Sequence, residues 1–111
     1  MLMRITWGKV RPGLWDTFEG LYARVADPDT SGLVGRQLVR DTVDTDAFFA
    51  ISVWETTEHI AVWEASEQYR ERFLNLIDPF MLGAYSVSIC DIRYASPWPV
   101  LQPRHLPEAG R

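Results

Sequence analysis

The sequence predicts an α+β fold: the split β-α-β-β-α-β, ferredoxin-like plan with a four-stranded antiparallel sheet. Three observations predict it. Met3 to Val10, Leu33 to Arg40, Ala47 to Glu55 and Tyr85 to Tyr94 read as strands, separated by turn-forming residues. Two of the intervals carry the same helical spacing of apolar residues, offsets of 4, 7, 8 and 11, starting at Leu14 and at Tyr69. The third strand is apolar on both faces, with Phe48 and Trp54 at one parity and Phe49, Ile51 and Val53 at the other. A strand of that kind needs cover on both sides. Two helices cover one face of such a sheet, so a second copy joined sheet to sheet is expected on the other, giving a homodimer.

The elements follow in order. MRITWGKV alternates and forms the first strand, which Arg11-Pro12-Gly13 ends. Leu14 to Ala26 is the first helix, with Leu14, Phe18, Leu21, Tyr22 and Val25 on one face. Asp27-Pro28-Asp29 stops it. The polar run DTVDTD, Asp41 to Asp46, connects strands two and three as a hairpin. Thr57 is expected to cap the next helix, whose inner side carries Ile60 and Trp63. Ser66 is expected to cap a further helical piece carrying Tyr69, Phe73, Leu76, Ile77 and Phe80, which Asp78-Pro79 and Gly83 end. The folded domain is expected to span residues 1–94. Residues 95–111 hold Pro97, Pro99, Pro103 and Pro107 and read as an extended tail, with Trp98 able to anchor it on a partner subunit.

Composition narrows the function. A chain of 111 residues with 47% hydrophobic content forms one domain with a real core. A formal charge of −4 argues against nucleic acid and anionic membrane as partners. The lone cysteine, Cys90, cannot form an internal disulfide and reads as a small buried hydrophobe. With no apolar core of signal-peptide length before Arg11 and no membrane-length run, a reducing cytoplasmic setting is expected.

The candidate site starts from Phe48 to Ser66, FFAISVWETTEHIAVWEAS. Trp54 and Trp63 flank a tight strand-to-helix junction and suit the walls of a small apolar pocket; the alternative is plain core packing. Tyr69 and Phe73, one helical turn apart, would share that pocket. His59 precedes Trp63 by four residues on the same helix face and is the available general base, unless it only faces solvent. Arg36 and Arg40 share one face of strand two, where Arg36 can meet a ligand carboxylate or phenolate, or either can form a salt bridge. Asp41, Asp44 and Asp46 lack the glycine and terminal glutamate of a calcium loop, and no metal site is expected.

These segments, together with VRPGLWDTFEGLYARV, SGLVGRQLVRD and PFMLGAYSVSICDIRY, resemble the antibiotic biosynthesis monooxygenase (ABM) domain family of the dimeric α/β-barrel superfamily, over about Met3 to Tyr94. Trp54-Glu55, followed by Trp63, is the most specific part. The resemblance implies a homodimer with one pocket per subunit. It also implies cofactor-free oxygenation of an aromatic or polycyclic phenol by O₂, with Trp54 a functional residue. The asparagine and tyrosine that accompany that tryptophan in quinone-forming members correspond to Ala50 and Ile60 here. Haem-degrading members use an asparagine, the helix tryptophan and a histidine; Thr6, Trp63 and Phe73 stand at those positions, so no iron ligand is offered. The expected roles are thus His59 and Trp54 in catalysis, with Trp54, Trp63, Tyr69, Phe73 and Arg36 holding substrate. A non-catalytic binding or accessory protein, and a non-oxidative polyketide cyclase or isomerase, are the alternatives.

Overall fold

The computed structural model describes residues 1–27 and 29–96. Its elements are β1 (Leu2–Lys9), α1 (Trp15–Val25), β2 (Leu33–Arg40), β3 (Ala47–Trp54), α2 (Thr57–Ala65), a π-helical turn (Gln68–Phe73), α3 (Leu74–Ile77), a 3₁₀ turn (Asp78–Phe80) and β4 (Ser86–Asp91). The four strands form one antiparallel sheet in the order β2-β3-β1-β4, the arrangement of the split βαβ plan. The tail expected to dock through Trp98 lies outside the described residues.

Register decides which parity of β3 meets the helices. Phe48 and Trp54 are buried beneath them, with Ala50 and Ser52 between. Phe49, Ile51 and Val53 share the opposite face with Met3, Ile5 and Trp7 of β1. On that face Trp7 is 39% and Phe49 37% exposed, so an apolar sheet surface is uncovered in the single chain.

Two clusters make the core. One joins Phe18 and Tyr22 of α1 to Phe48, Phe73, Ile77 and Met81; the other joins Trp54 to Ile60 and Trp63. Tyr69 packs against both.

Local structure departs from the sequence expectation in four places. Thr56, not Thr57, caps α2: its backbone is extended and its hydroxyl accepts from the His59 amide, while Thr57 is already helical. The second helical stretch is not one regular helix. After Ser66 the chain winds as a π turn, which carries more residues per turn, and the apolar face rotates. Leu76, expected inside, is therefore exposed, while Ile77 remains buried. β4 is shorter than Tyr85 to Tyr94 and its cysteine is exposed rather than buried, because Cys90 pairs with Met3 on the uncovered face. Trp15 is buried as well, donating its indole N–H to Glu19 at 3.0 Å with the Arg40 guanidinium 4.5 Å above its ring.

Candidate functional site

Three strands contribute one residue each to a row across the helix-facing side of the sheet: Arg4 of β1, Ser52 of β3 and Arg36 of β2 are mutual register partners. Neighbouring strands lie about 4.8 Å apart, so the two arginine backbones stand roughly 10 Å from each other with the small Ser52 between them. The next row, Thr6, Ala50 and Leu38, is also small at its centre. Small side chains here leave space between sheet and helices.

The helices roof that space with aromatic rings. Trp63 of α2 and Tyr69 of the π turn lie with centroids 5.2 Å apart, and Phe73 stacks near Tyr69 at 6.0 Å. Two of the rings face a cation: Arg36 is 5.3 Å from the Trp63 centroid, and Arg4 is 5.1 Å from that of Tyr69. Together with Phe18, Phe48 and Ile77 these groups line a cavity of about 40 Å³, room for two or three waters.

The two guanidinium groups are held differently. Arg4, only 8% exposed, is fully engaged: its Nε donates to Glu64 Oε2 at 2.9 Å, its Nη2 to the Tyr69 hydroxyl at 2.9 Å, and its Nη1 to Thr6 Oγ1 at 3.3 Å. Arg36 has its Nε and Nη2 buried with no hydrogen-bond partner among the described residues. Unpaired buried donors on a charged group are costly unless something fills the place beside them.

Tyr85 and Asp78 stand at the rim, at the Gly8 end of β1. The Tyr85 hydroxyl donates to Asp78 Oδ1 at 3.4 Å. Burial pushes the Tyr85 hydroxyl pKa up, and the nearby Asp78 carboxylate adds to the shift. Beside this rim, Val87 and Ile89 of β4 share the face of Thr6 and Arg4 yet are 40% and 47% exposed. The cavity is thus bordered on its β4 side by an uncovered apolar strip.

The sequence-predicted residues do not all converge. Arg36, Trp63, Tyr69 and Phe73 line the cavity. Trp54 lies outside its lining, fully buried at 0% exposure against Ile60 and Trp63, with its indole N–H donated to Ser52 Oγ at 2.8 Å. His59 also lies outside the lining. Its Nδ1 is 2.6 Å from Thr56 Oγ1, and its ring presses so closely on Gly32 that a Cβ there would collide with it. It lines a separate, more open depression of about 430 Å³, shared with Trp63, Glu58, Val62 and Asp27. That depression is larger, but among the described residues it holds no buried unpaired donor. Arg4, Glu64, Ser52 and Asp78 were missed from sequence. None left a signal: Arg4 shares its strand parity with Thr6 and Gly8, which reads as the polar side of an alternating strand. Asp41 closes its hairpin by accepting from the amides of Val43 and Asp44, at 2.7 and 2.8 Å.

Comparison with known proteins agrees with this architecture. One solved structure, a crystal structure of an antibiotic biosynthesis monooxygenase, superposes with a TM-score of 0.72 at 22% identity, covering 87% of this chain and 100% of that one. A Nitrosomonas europaea protein assigned to the same monooxygenases gives a TM-score of 0.75 at 14% identity, covering 85% and 100%. A variant of MhuD with two manganese protoporphyrin IX molecules bound per active site gives 0.74 at 19% identity, covering 88% and 100%. No curated protein matches by sequence. The profile of the antibiotic biosynthesis monooxygenase family matches residues 1–73, from β1 through Phe73, and the chain belongs to that family.

Proposed function

We propose that this protein is a cofactor-independent monooxygenase acting on an aromatic or polycyclic phenol in the cavity between helices and sheet. The observation that carries the reading is the pairing of two aromatic rings, Trp63 and Tyr69, with two arginines, Arg36 and Arg4, around one buried space. Aromatic walls hold a flat substrate, and guanidinium groups stabilise its oxyanion. In a dry site that stabilisation is larger than in water.

The chemistry needs no electrons from outside. Removal of one C–H proton from a methylene conjugated with the phenol gives a carbanion, which gives one electron to O₂; the carbon radical and superoxide then combine in a C–O bond, and the peroxide takes up a proton. Loss of the remaining C–H proton then breaks the O–O bond and expels hydroxide, which leaves as water. The methylene becomes a carbonyl, with one oxygen atom in product and one in water. Arg4, fixed by Glu64 and Tyr69, supplies a constant positive field. Proton removal is assigned to Asp78 at the rim, with His59, in the neighbouring depression, as the second candidate. The histidine that holds haem iron in haem-degrading members has no counterpart in this lining: Phe73 stands at its position, and His59 lies outside.

The working unit is a homodimer, in which a second copy covers the apolar face bearing Trp7, Phe49 and Val39. The test is oxygen uptake by protein free of metal, flavin and haem, with anthrones, naphthols and hydroquinones. Uptake requiring both protein and substrate is expected. Tight binding without uptake would instead favour a binding protein or a non-oxidative cyclase on the same cavity. Asp78→Asn should lower turnover at least 10-fold with substrate affinity kept, while His59→Ala should change it less than about 3-fold; the reverse order would return the base to His59.

A further inference from the structure

We infer that the ligand of this cavity is an aromatic carboxylate, gripped by the Nε–Nη2 edge of Arg36. The inference rests on the proposal that the cavity holds a flat aromatic compound, and it adds a charged group distinct from the reacting oxygen. The two buried donors without a partner among the described residues are Arg36 Nε and Nη2. They belong to one edge of the guanidinium, where two N–H bonds run parallel. That edge matches the two oxygens of a carboxylate and forms a paired, charge-assisted contact; a phenolate, with a single oxygen, can satisfy only one of the bonds well.

The surroundings select the same class. The Trp63 ring covers Arg36 at 5.3 Å, so an aromatic acid docked on the free edge finds an indole wall beside it. Arg4 does not compete for this role, because Glu64 already neutralises it and three of its nitrogens are engaged. The one carboxylate in the lining among the described residues, Asp78, pairs with Tyr85 near Gly8 on the β4 side. Arg36 lies on β2, with β3 and β1 between it and that side of the sheet. A second copy on the opposite sheet face does not reach Arg36, which shares the helix-facing row with Ser52 and Arg4. The carboxylate thus anchors at β2, and the ring extends beneath Trp63 and Tyr69 toward Arg4, where a phenolic oxygen can meet the second cation.

The test compares 2-naphthoate with its neutral, near-isosteric amide, 2-naphthamide, by calorimetry on the full chain. Naphthoate is expected to bind at least about 10-fold tighter than the amide. Arg36→Gln should remove that preference, and Arg36→Lys, which keeps charge but not the two-pronged edge, should retain only part of it. Should the variants not fold, the Arg36 Nε–H resonance of the unaltered protein decides. It should move with naphthoate and stay in place with the amide. Equal affinity for the two compounds, or a preference that survives Arg36→Gln, would overturn the carboxylate assignment and leave the aromatic cavity standing. Binding of neither compound would overturn both.

Discussion

Ser52 is a small residue on which two larger ones depend. Its hydroxyl accepts the indole N–H of the fully buried Trp54, and its size leaves room between Arg4 and Arg36. Ser52→Ala keeps the space but strands the indole donor, so it should cost about 1–3 kcal/mol in denaturant unfolding with ligand affinity little changed. Glu64→Ala leaves the Arg4 charge buried on one side. Because Glu64 is partly exposed and Tyr69 still accepts from Arg4, a loss of about 1–3 kcal/mol is expected rather than the full cost of a deeply buried pair. Tyr85 gives a pH signature. Its folded pKa is raised, so its contribution to stability is complete below the ordinary tyrosine value and is lost as pH rises above about 10. Tyr85→Phe should flatten the stability profile in that alkaline range, as followed by chemical unfolding. At this scale the sequence was only partly legible. Arg36 and the rings of Trp63, Tyr69 and Phe73 were foreseeable from spacing. The burial of Arg4 was not, because its partners Glu64 and Tyr69 are distant in the chain and nothing local signals the pairing.

At the scale of elements, the π turn Gln68–Phe73 shapes the roof of the cavity. It directs Tyr69 onto Arg4 and stacks Phe73 near it. Such turns carry an extra residue that a regular helix would not accept, and the local irregularity is often functional. Deleting the exposed Glu71 should restore regular winding and rotate Tyr69 by about 100° relative to the downstream helix. The expected result is a folded protein by circular dichroism whose tryptophan fluorescence is no longer quenched by 2-naphthol. Retained quenching would detach the π turn from the site. The existence of this helical stretch was legible in the apolar spacing from Tyr69, but its winding was not. Leu76 fits the regular offsets as well as Ile77 does, and only the packed structure turns one outward. The α2 cap shows a similar limit: adjacent threonines give two equivalent readings, and the extended backbone at Thr56 selects one.

For the whole molecule, the order of elements along the chain and the two-sided nature of β3 followed from periodicity, because alternation and helical spacing are properties of the chain itself. Which face carries the site did not, since Phe48 and Phe49 are indistinguishable by hydrophobicity; register with Arg4 and Arg36 separates them. The uncovered face predicts association. Light scattering should give a dimer, and Trp7→Glu, placing a charge in the middle of that face, should yield a monomer at micromolar concentration. The cavity, at about 40 Å³, is smaller than any substrate ring, so binding requires its walls to move apart, and the exposed Val87 and Ile89 strip marks the open side. The central claim is that the ligand enters this inner space and not the larger depression beside His59. The most direct measurement is an intermolecular NOE spectrum of the protein with 2-naphthol. Contacts from the naphthyl protons to the methyl groups of Ala50, Ile77 and Met81, which line the inner cavity, are predicted. Contacts to Val62, which lines the outer depression, with none to those three, would contradict the account.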